Sequence, residues 1–174
     1  MDEKRLMAGY KRGESWARRE IYETFAPAMM SLCVRYVQNT DVAKDLLQDG
    51  FVKVFTHAEQ FSGKGALGGW IRQIMVNTAL EYLRRQNALK WQDLDENIVE
   101  VEKNNLSENL NNITAEEMME CITQLPEMYR TVFNLVCVEG YSYAEIAQQM
   151  KTSENIIRMQ YFRAREKLKK IIFT

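Results

Sequence analysis

The chain of 174 residues carries 23 Lys and Arg against 24 Asp and Glu, a single His, only 2 Pro, and 46% hydrophobic residues. That apolar content excludes a disordered chain, and one His with three Cys outside any CxxC spacing leaves a zinc cluster or a His-based triad poorly supplied. No apolar run follows the opening Met1-Asp2-Glu3-Lys4-Arg5 and no stretch approaches the roughly 20 apolar residues of a membrane span, so neither a signal peptide nor membrane insertion is expected.

Long stretches rich in Ala, Leu, Glu, Gln, Lys and Arg keep their side-chain freedom in a helix, and few short segments alternate polar with apolar residues, so no good strand candidate stands out. An all-α protein is expected. Cys33, Cys121 and Cys137 read as buried, reduced thiols of a cytoplasmic protein. The net charge of −1 conceals a pattern. Residues 1–92 are basic by +4, residues 93–120 hold Lys103 against nine acids, and residues 121–174 are basic by +3. Two basic blocks flanking an acidic one leave nucleic acid open as a partner.

In chain order, Gly9 and Gly13 punctuate a short opening helix. A second helix is expected from about Ser15 to Phe25, and Pro27 restarts the chain for a third ending near Gln38. Thr40 or Asp41 caps a fourth, which reaches about His57. Gly63, Gly65, Gly68 and Gly69 make a flexible loop before a long helix from about Trp70 to Leu89. From Asp93 to Thr114 the chain is acidic and rich in Asn, which competes with the helix for its own backbone, so this segment is expected to link two small helical domains. The domains are then 1–92 and 115–174, with the linker at 93–114. Pro126 starts a helix that ends at Gly140. Ser142 and Glu145 form a capping box for a short helix to Met150, Lys151-Thr152-Ser153 turns the chain, and Ser153 caps a last helix to about Ile171.

A short helix, a tight turn and a longer basic helix form a helix-turn-helix over about 142–163. At helical spacing Ile157, Tyr161, Ala164 and Leu168 form the packed stripe of the last helix. Asn155, Arg158, Met159, Phe162, Arg163, Glu166, Lys169 and Lys170 face outward. Met159 and Phe162 would suit a thymine methyl or base edge, and the arginines phosphate or guanine. A solvated basic C-terminal helix explains the same charges.

Leu125-Pro126-Glu127-Met128-Tyr129-Arg130-Thr131-Val132-Phe133, Glu139-Gly140-Tyr141-Ser142-Tyr143-Ala144-Glu145-Ile146-Ala147 and Phe162-Arg163-Ala164-Arg165-Glu166-Lys167-Leu168 closely resemble region 4 of extracytoplasmic-function (ECF) sigma factors. Ala43 to Phe55, Phe61-Ser62-Gly63, Trp70-Ile71 and Asn77-Thr78-Ala79-Leu80-Glu81-Tyr82-Leu83-Arg84-Arg85 resemble their region 2. The order of the segments is also that of the family. The resemblance implies a subunit of RNA polymerase that recognises and melts promoter DNA. It implies core RNA polymerase, promoter DNA and an anti-sigma factor as partners, with no cofactor, small-molecule substrate or catalysis of its own. The chain departs from the family where the usual turn glycine is missing near Met150-Lys151-Thr152, where Asn155-Ile156-Ile157 opens the last helix, and in the glycine-rich loop.

Helical spacing assigns the surfaces of two helices, and the resemblance their roles. On the fourth helix Ala43, Leu47, Gly50, Phe51, Val54 and Ala58 should fill the core. Val42, Asp45, Leu46, Asp49 and Val52, with Gln48, should form an outer face of acids and aliphatic groups, suited to a partner unless the helix is buried on both sides. By resemblance that face docks on core polymerase. On the long helix Trp70, Gln73, Asn77 and Arg84 share a flank with Arg72, Arg85 and Lys64 nearby, and by resemblance they hold the melted minus-ten element. Trp70 reads better as core than as a stacking platform. Asn155, Arg158, Met159, Phe162, Arg163, Arg165 and Lys169 are expected at the minus-thirty-five element. The 22-residue linker could extend roughly 75 Å, beyond two DNA turns of about 34 Å each, so two domains can read separated elements. By resemblance it threads the polymerase RNA path, where its acids mimic RNA. A stand-alone helix-turn-helix regulator would explain residues 121–174 but neither the acidic-aliphatic helix nor the loop.

Overall fold

A computed structural model describes residues 2–92 and 112–173, the side chains of 87–92 excepted. The chain divides into two compact units, Met1–Leu83 and Arg84–Thr174. Among the described residues all regular structure is helical. The expected linker lies outside them, apart from its last three residues.

In the first unit, Asp2 caps α1 (Glu3–Lys11) through the Arg5 amide. A single helix, α2 (Ser15–Val37), follows where two were expected. Pro27 lies inside it, and both Pro27 and Glu23, whose carbonyl loses a donor, are exposed, on the side where solvent can offset the missing bond. Buried Ile21, Met29, Leu32 and Cys33 carry the helix through on the opposite side. The cap of α3 (Thr40–Thr56) is Asn39 rather than Thr40 or Asp41, its side chain accepting from the Asp41 and Val42 amides. After a 3₁₀ turn at Ala58–Gln60, α4 (Leu67–Gln92) begins before Trp70, so Gly68 and Gly69 belong to its first turn and the loop is shorter than expected.

The core of this unit joins the first four helices. The Tyr10 hydroxyl of α1 donates to the Val54 carbonyl of α3, and Tyr22 of α2 packs on Phe51. Between α3 and α4 the Lys53 ammonium reaches Thr78 at 3.3 Å and Glu81 at 2.9 Å. Gly50 marks the closest crossing, because a Cβ there would lie 2.2 Å from Met75 Sδ. Gly50→Leu should therefore lower the unfolding free energy by about 1–3 kcal/mol through overpacking, read as a fall in denaturation midpoint. An unchanged midpoint would mean that α3 and α4 do not cross at this position.

In the second unit Thr114 and Glu117 form a capping box for α5 (Ala115–Thr123), a helix not anticipated from the sequence. Pro126 caps α6 (Glu127–Phe133), which runs into a π-helical segment, Asn134–Val138, and stops before Gly140. The expected box of Ser142 and Glu145 opens α7 (Tyr143–Met150), and the two Ser142 hydrogen bonds hold the Glu145 carboxyl below its ordinary pKa. Ser153 caps α8 (Glu154–Ile172). Ile122, Leu125, Phe133, Ala164 and Leu168 form a core drawn from α5, α6, their connection and α8. Arg130 is buried beside it and donates to the Leu125 carbonyl at 3.0 Å, closing the turn between α5 and α6. Burial lowers the pKa of this guanidinium. Two amides, Asn134 and Gln160, are sealed in the same unit with no partner on any side-chain polar atom among the described residues.

The thiols depart from expectation. All three cysteines are free, but only Cys33 is fully buried, and desolvation pushes its pKa up to about 11. Cys121 is half-buried and Cys137 exposed, the latter with its sulfur 3.1 Å from the Tyr161 hydroxyl.

Candidate nucleic-acid and partner interfaces

On α3 the expected core residues Ala43, Leu47, Gly50, Phe51, Val54 and, just beyond the helix, Ala58 are all buried. The opposite face presents Asp45, Gln48 and Asp49 to solvent, with Val42 half-buried and Val52 60% exposed. Leu46 does not belong to that face. It is 4% exposed, because α3 is held both by α2, through Tyr22 and Phe51, and by α4, through Gly50 and Met75, which widens the buried arc beyond one stripe. The remaining face is narrower and more acidic than expected. Neither Asp45 nor Asp49 makes an ion pair among the described residues.

Trp70 is half-buried at the start of α4, its ring 6.4 Å from Tyr10 and 5.4 Å from Phe61, which fits its reading as core. Along α4, Arg72, Asn77 and Arg84 are half-buried while Gln73 and Arg85 are exposed. Arg84 and Arg85 follow Leu83, the last residue of the first unit, on the same helix. Lys64 stands exposed in the loop, its amide donating to the Ser62 hydroxyl. Gly63 and Gly65 flank it at φ of +77° and +79°, a backbone that side-chain-bearing residues rarely adopt, and a Cβ at either would meet nothing within 4 Å.

On α8 the stripe of Ile157, Ala164 and Leu168 is buried as expected, and Tyr161 is half-buried between Phe133 and Tyr143. Burial raises the pKa of the Tyr161 phenol above its ordinary value. Asn155, Arg158 and Arg163 are exposed, whereas Phe162, Arg165 and Lys169 are half-buried. Met159 was expected outward, yet it is 5% exposed. The tight turn lays α7 on the first turns of α8 while α6 holds the other side, so Ile156, Ile157, Met159 and Gln160 are all covered and only the C-terminal half keeps a narrow buried stripe. Arg158 pairs with Glu154 at 3.5 Å and lies 5.5 Å above the Tyr143 ring, Arg165 covers Tyr161, and Lys169 pairs with Glu166 at 3.1 Å. Arg163 has neither an ion pair nor a ring contact among the described residues and is the best-placed arginine on α8 to reach an outside acceptor.

The turn before α8 explains how that helix is presented. Lys151 adopts a left-handed conformation, φ 53° and ψ 49°, and the Thr152 amide reaches back to the Ala147 carbonyl at 3.0 Å. This Schellman closure ends α7 without a glycine. Sequence reasoning missed α1 as part of any surface, although Lys4, Met7, Ala8 and Lys11 recur at three- and four-residue steps and line one groove with Gly63 and Gly65. That spacing was the signal available. Among the described residues no helix is long and apolar enough to cross a membrane.

The comparisons follow this geometry closely. Family models match the chain twice, Sigma-70 region 2 over residues 21–89 and Sigma-70, region 4 over residues 115–168. An ECF RNA polymerase sigma-E factor of Escherichia coli (strain K12) is 30% identical over 172 residues, covering 92% of this chain and 89% of its relative. A protein of the same name from Haemophilus influenzae is 28% identical over 171 residues, covering 92% and 90%. Among solved structures, the sigma factor RpoE of Bartonella quintana, in complex with the anti-sigma factor NepR, shares the fold at a TM-score of 0.52 and 20% identity, covering 90% of this chain and 96% of that one. With two matched regions in the family's order, together spanning more than half of the residues, the chain belongs to the ECF branch of the sigma-70 family of RNA polymerase sigma factors.

Proposed function

We propose that this sigma factor divides its work among a region 2 domain (1–92), an acidic linker (93–114) and a region 4 domain (115–174). The exposed face of α3, with Asp45, Gln48, Asp49, Val52 and the edge of Val42, docks on core RNA polymerase. The flank of α4 with Gln73, Asn77 and the arginines, together with the loop at Lys64, holds the melted minus-ten strand. Capturing the open form draws the melting equilibrium forward, which is how a protein without catalysis opens DNA. Asn155, Arg158, Phe162, Arg163, Arg165 and Lys169 contact the minus-thirty-five element in the major groove. An anti-sigma factor restrains the protein in the cytoplasm, and neither cofactor nor catalytic step is required.

The observation that carries this reading is an acidic-aliphatic face on α3 left uncovered in a chain whose α8 carries an exposed Arg163 at its middle and basic Lys169 and Lys170 in its last turn. A stand-alone DNA reader has no use for the first of these. The test is co-purification with core polymerase followed by run-off transcription on genomic fragments. The isolated protein should bind duplex promoter DNA weakly, because both basic blocks are mild and the linker repels phosphate, and core polymerase should make binding specific and productive. Tight, specific binding by the free protein, unchanged by polymerase, would favour a stand-alone regulator.

A further inference from the structure

Tyr143 is the first residue of α7, half-buried, and fixed through both its backbone and its ring. Next to it in the chain, the Ser142 amide donates to the Glu145 carboxylate at 2.7 Å, and the Ser142 hydroxyl accepts from the Glu145 amide at 3.2 Å. The Tyr143 ring packs against Tyr161 at 5.9 Å between centroids, and Tyr161 packs in turn on Phe133 of the domain core at 6.1 Å. Over the ring lies a group from another helix, the Arg158 guanidinium of α8, 5.5 Å from the centroid. The contacts proposed for promoter DNA include Arg158 but not Tyr143.

Arg158 has a second neighbour in the Glu154 carboxylate, one turn earlier on α8 at 3.5 Å. The two holds differ in what they leave free. A guanidinium carries five N–H donors, and a carboxylate takes one or two of them. An aromatic face attracts the cation through its quadrupole and engages the charge rather than a particular N–H. Donors then remain for the two acceptors of a guanine edge. Glu154 competes with DNA for this side chain, whereas Tyr143 does not. The ion pair is also the weaker hold, because its side chains are 53% and 51% exposed, where an ion pair contributes little and salt screens it.

A long side chain with several free torsions reaches phosphates as readily as base edges, and only the base contact carries sequence information. A ring that fixes where the guanidinium lies turns reach into a choice of base pair. We propose that Tyr143 is a positioning residue for promoter reading. Its ring, placed by the Ser142 box and braced by Tyr161, holds Arg158 at one base pair of the minus-thirty-five element. The proposal rests on the reading of α8 as the recognition helix and deepens it, since selectivity at that pair then depends on a residue of α7.

The test uses holoenzyme assembled from the full chain and a promoter fragment recovered by run-off transcription, its upstream element varied one base pair at a time. The quantity read is preference, the ratio of affinity for the original fragment to affinity for each variant. Partial unfolding lowers both affinities alike, so a substitution that merely weakens the domain leaves this ratio where it was. Arg158→Ala identifies the base pair, at which preference should fall roughly 5- to 150-fold. Tyr143→Leu should lower preference at the same pair about two- to fivefold, the range of an exposed cation–ring contact. In the Arg158→Ala background it should add nothing. Tyr143→Phe keeps the ring and should match wild type, and Glu154→Gln should retain the preference. If Arg158→Ala changes preference while Tyr143→Leu does not, the ring positions nothing, although the α8 reading stands. If Tyr143→Phe loses as much as Tyr143→Leu, the hydroxyl acts rather than the ring face and the proposal is overturned. Loss of preference in Glu154→Gln but not in Tyr143→Leu overturns it too, with the carboxylate as the positioning group. If Arg158→Ala changes preference at no pair, the assignment of Arg158 to base reading fails and the proposal falls with it.

Discussion

Asp45→Arg together with Asp49→Arg should abolish association with core RNA polymerase while helicity and thermal unfolding stay nearly unchanged. Both carboxylates are exposed, neither has an ion-pair partner among the described residues, and the cap of α3 is Asn39, so the fold does not depend on them. Docking does. Reversing two charges on one narrow face turns attraction into repulsion at every pose that uses it, and like charges brought together in an interface cost several kcal/mol. Gel filtration with core polymerase and circular dichroism give the two readouts. Normal holoenzyme from the double variant would mean that polymerase binds elsewhere on the chain.

Leu168→Ala should destabilise the C-terminal domain by about 2–5 kcal/mol, since it empties the centre of a core shared by Ile122, Leu125, Phe133 and Ala164. Every promoter should suffer together. Arg163→Ala acts on the outer side of the same helix and should leave the fold intact. It should lose about 1–3 kcal/mol of DNA binding and relax preference at one base pair, if the guanidinium reads a base through paired hydrogen bonds. Lys169→Ala should weaken all sequences alike and flatten the salt dependence, as a phosphate contact does. Transcription from a panel of upstream-element variants, with circular dichroism alongside, separates the three. An unchanged fold in Leu168→Ala combined with unchanged base preference in Arg163→Ala would mean that the reading face of α8 has been assigned to the wrong side.

What could be read from the sequence was whatever local chemistry decides. The Ser142 and Glu145 box, the Ser153 cap and the core arc of α3 are written in residues a few positions apart, and each stands as expected. The errors arise where tertiary contacts decide. Pro27 reads locally as a break, yet its flanks are buried on the opposite side and α2 runs through. Leu46 and Met159 sit at the outward angle of a helix with one packed face, but α3 and the start of α8 each touch two neighbours. A helical wheel carries no information on how many helices surround it. The α1 groove was missed for a related reason, because its two walls are some fifty residues apart in sequence and only folding brings them together.

The turn at Lys151 bears on how the proposed reading helix would meet DNA. A left-handed backbone at a residue with a side chain costs roughly 1–2 kcal/mol relative to its usual conformation, and glycine would remove that cost while adding many alternative bends. Lysine offers few alternatives. The angle between α7 and α8 is therefore set before any DNA arrives, held by the Thr152 to Ala147 hydrogen bond on one side and by the Ser153 cap on the other. A reading head that is already in shape loses little freedom on contact, so more of each base contact survives as affinity. The same stiffness makes the head exacting. With α8 as the proposed reading helix, a promoter whose groove departs from the shape it presents should not be accommodated by swinging the helix, and the DNA itself should have to deform to meet it.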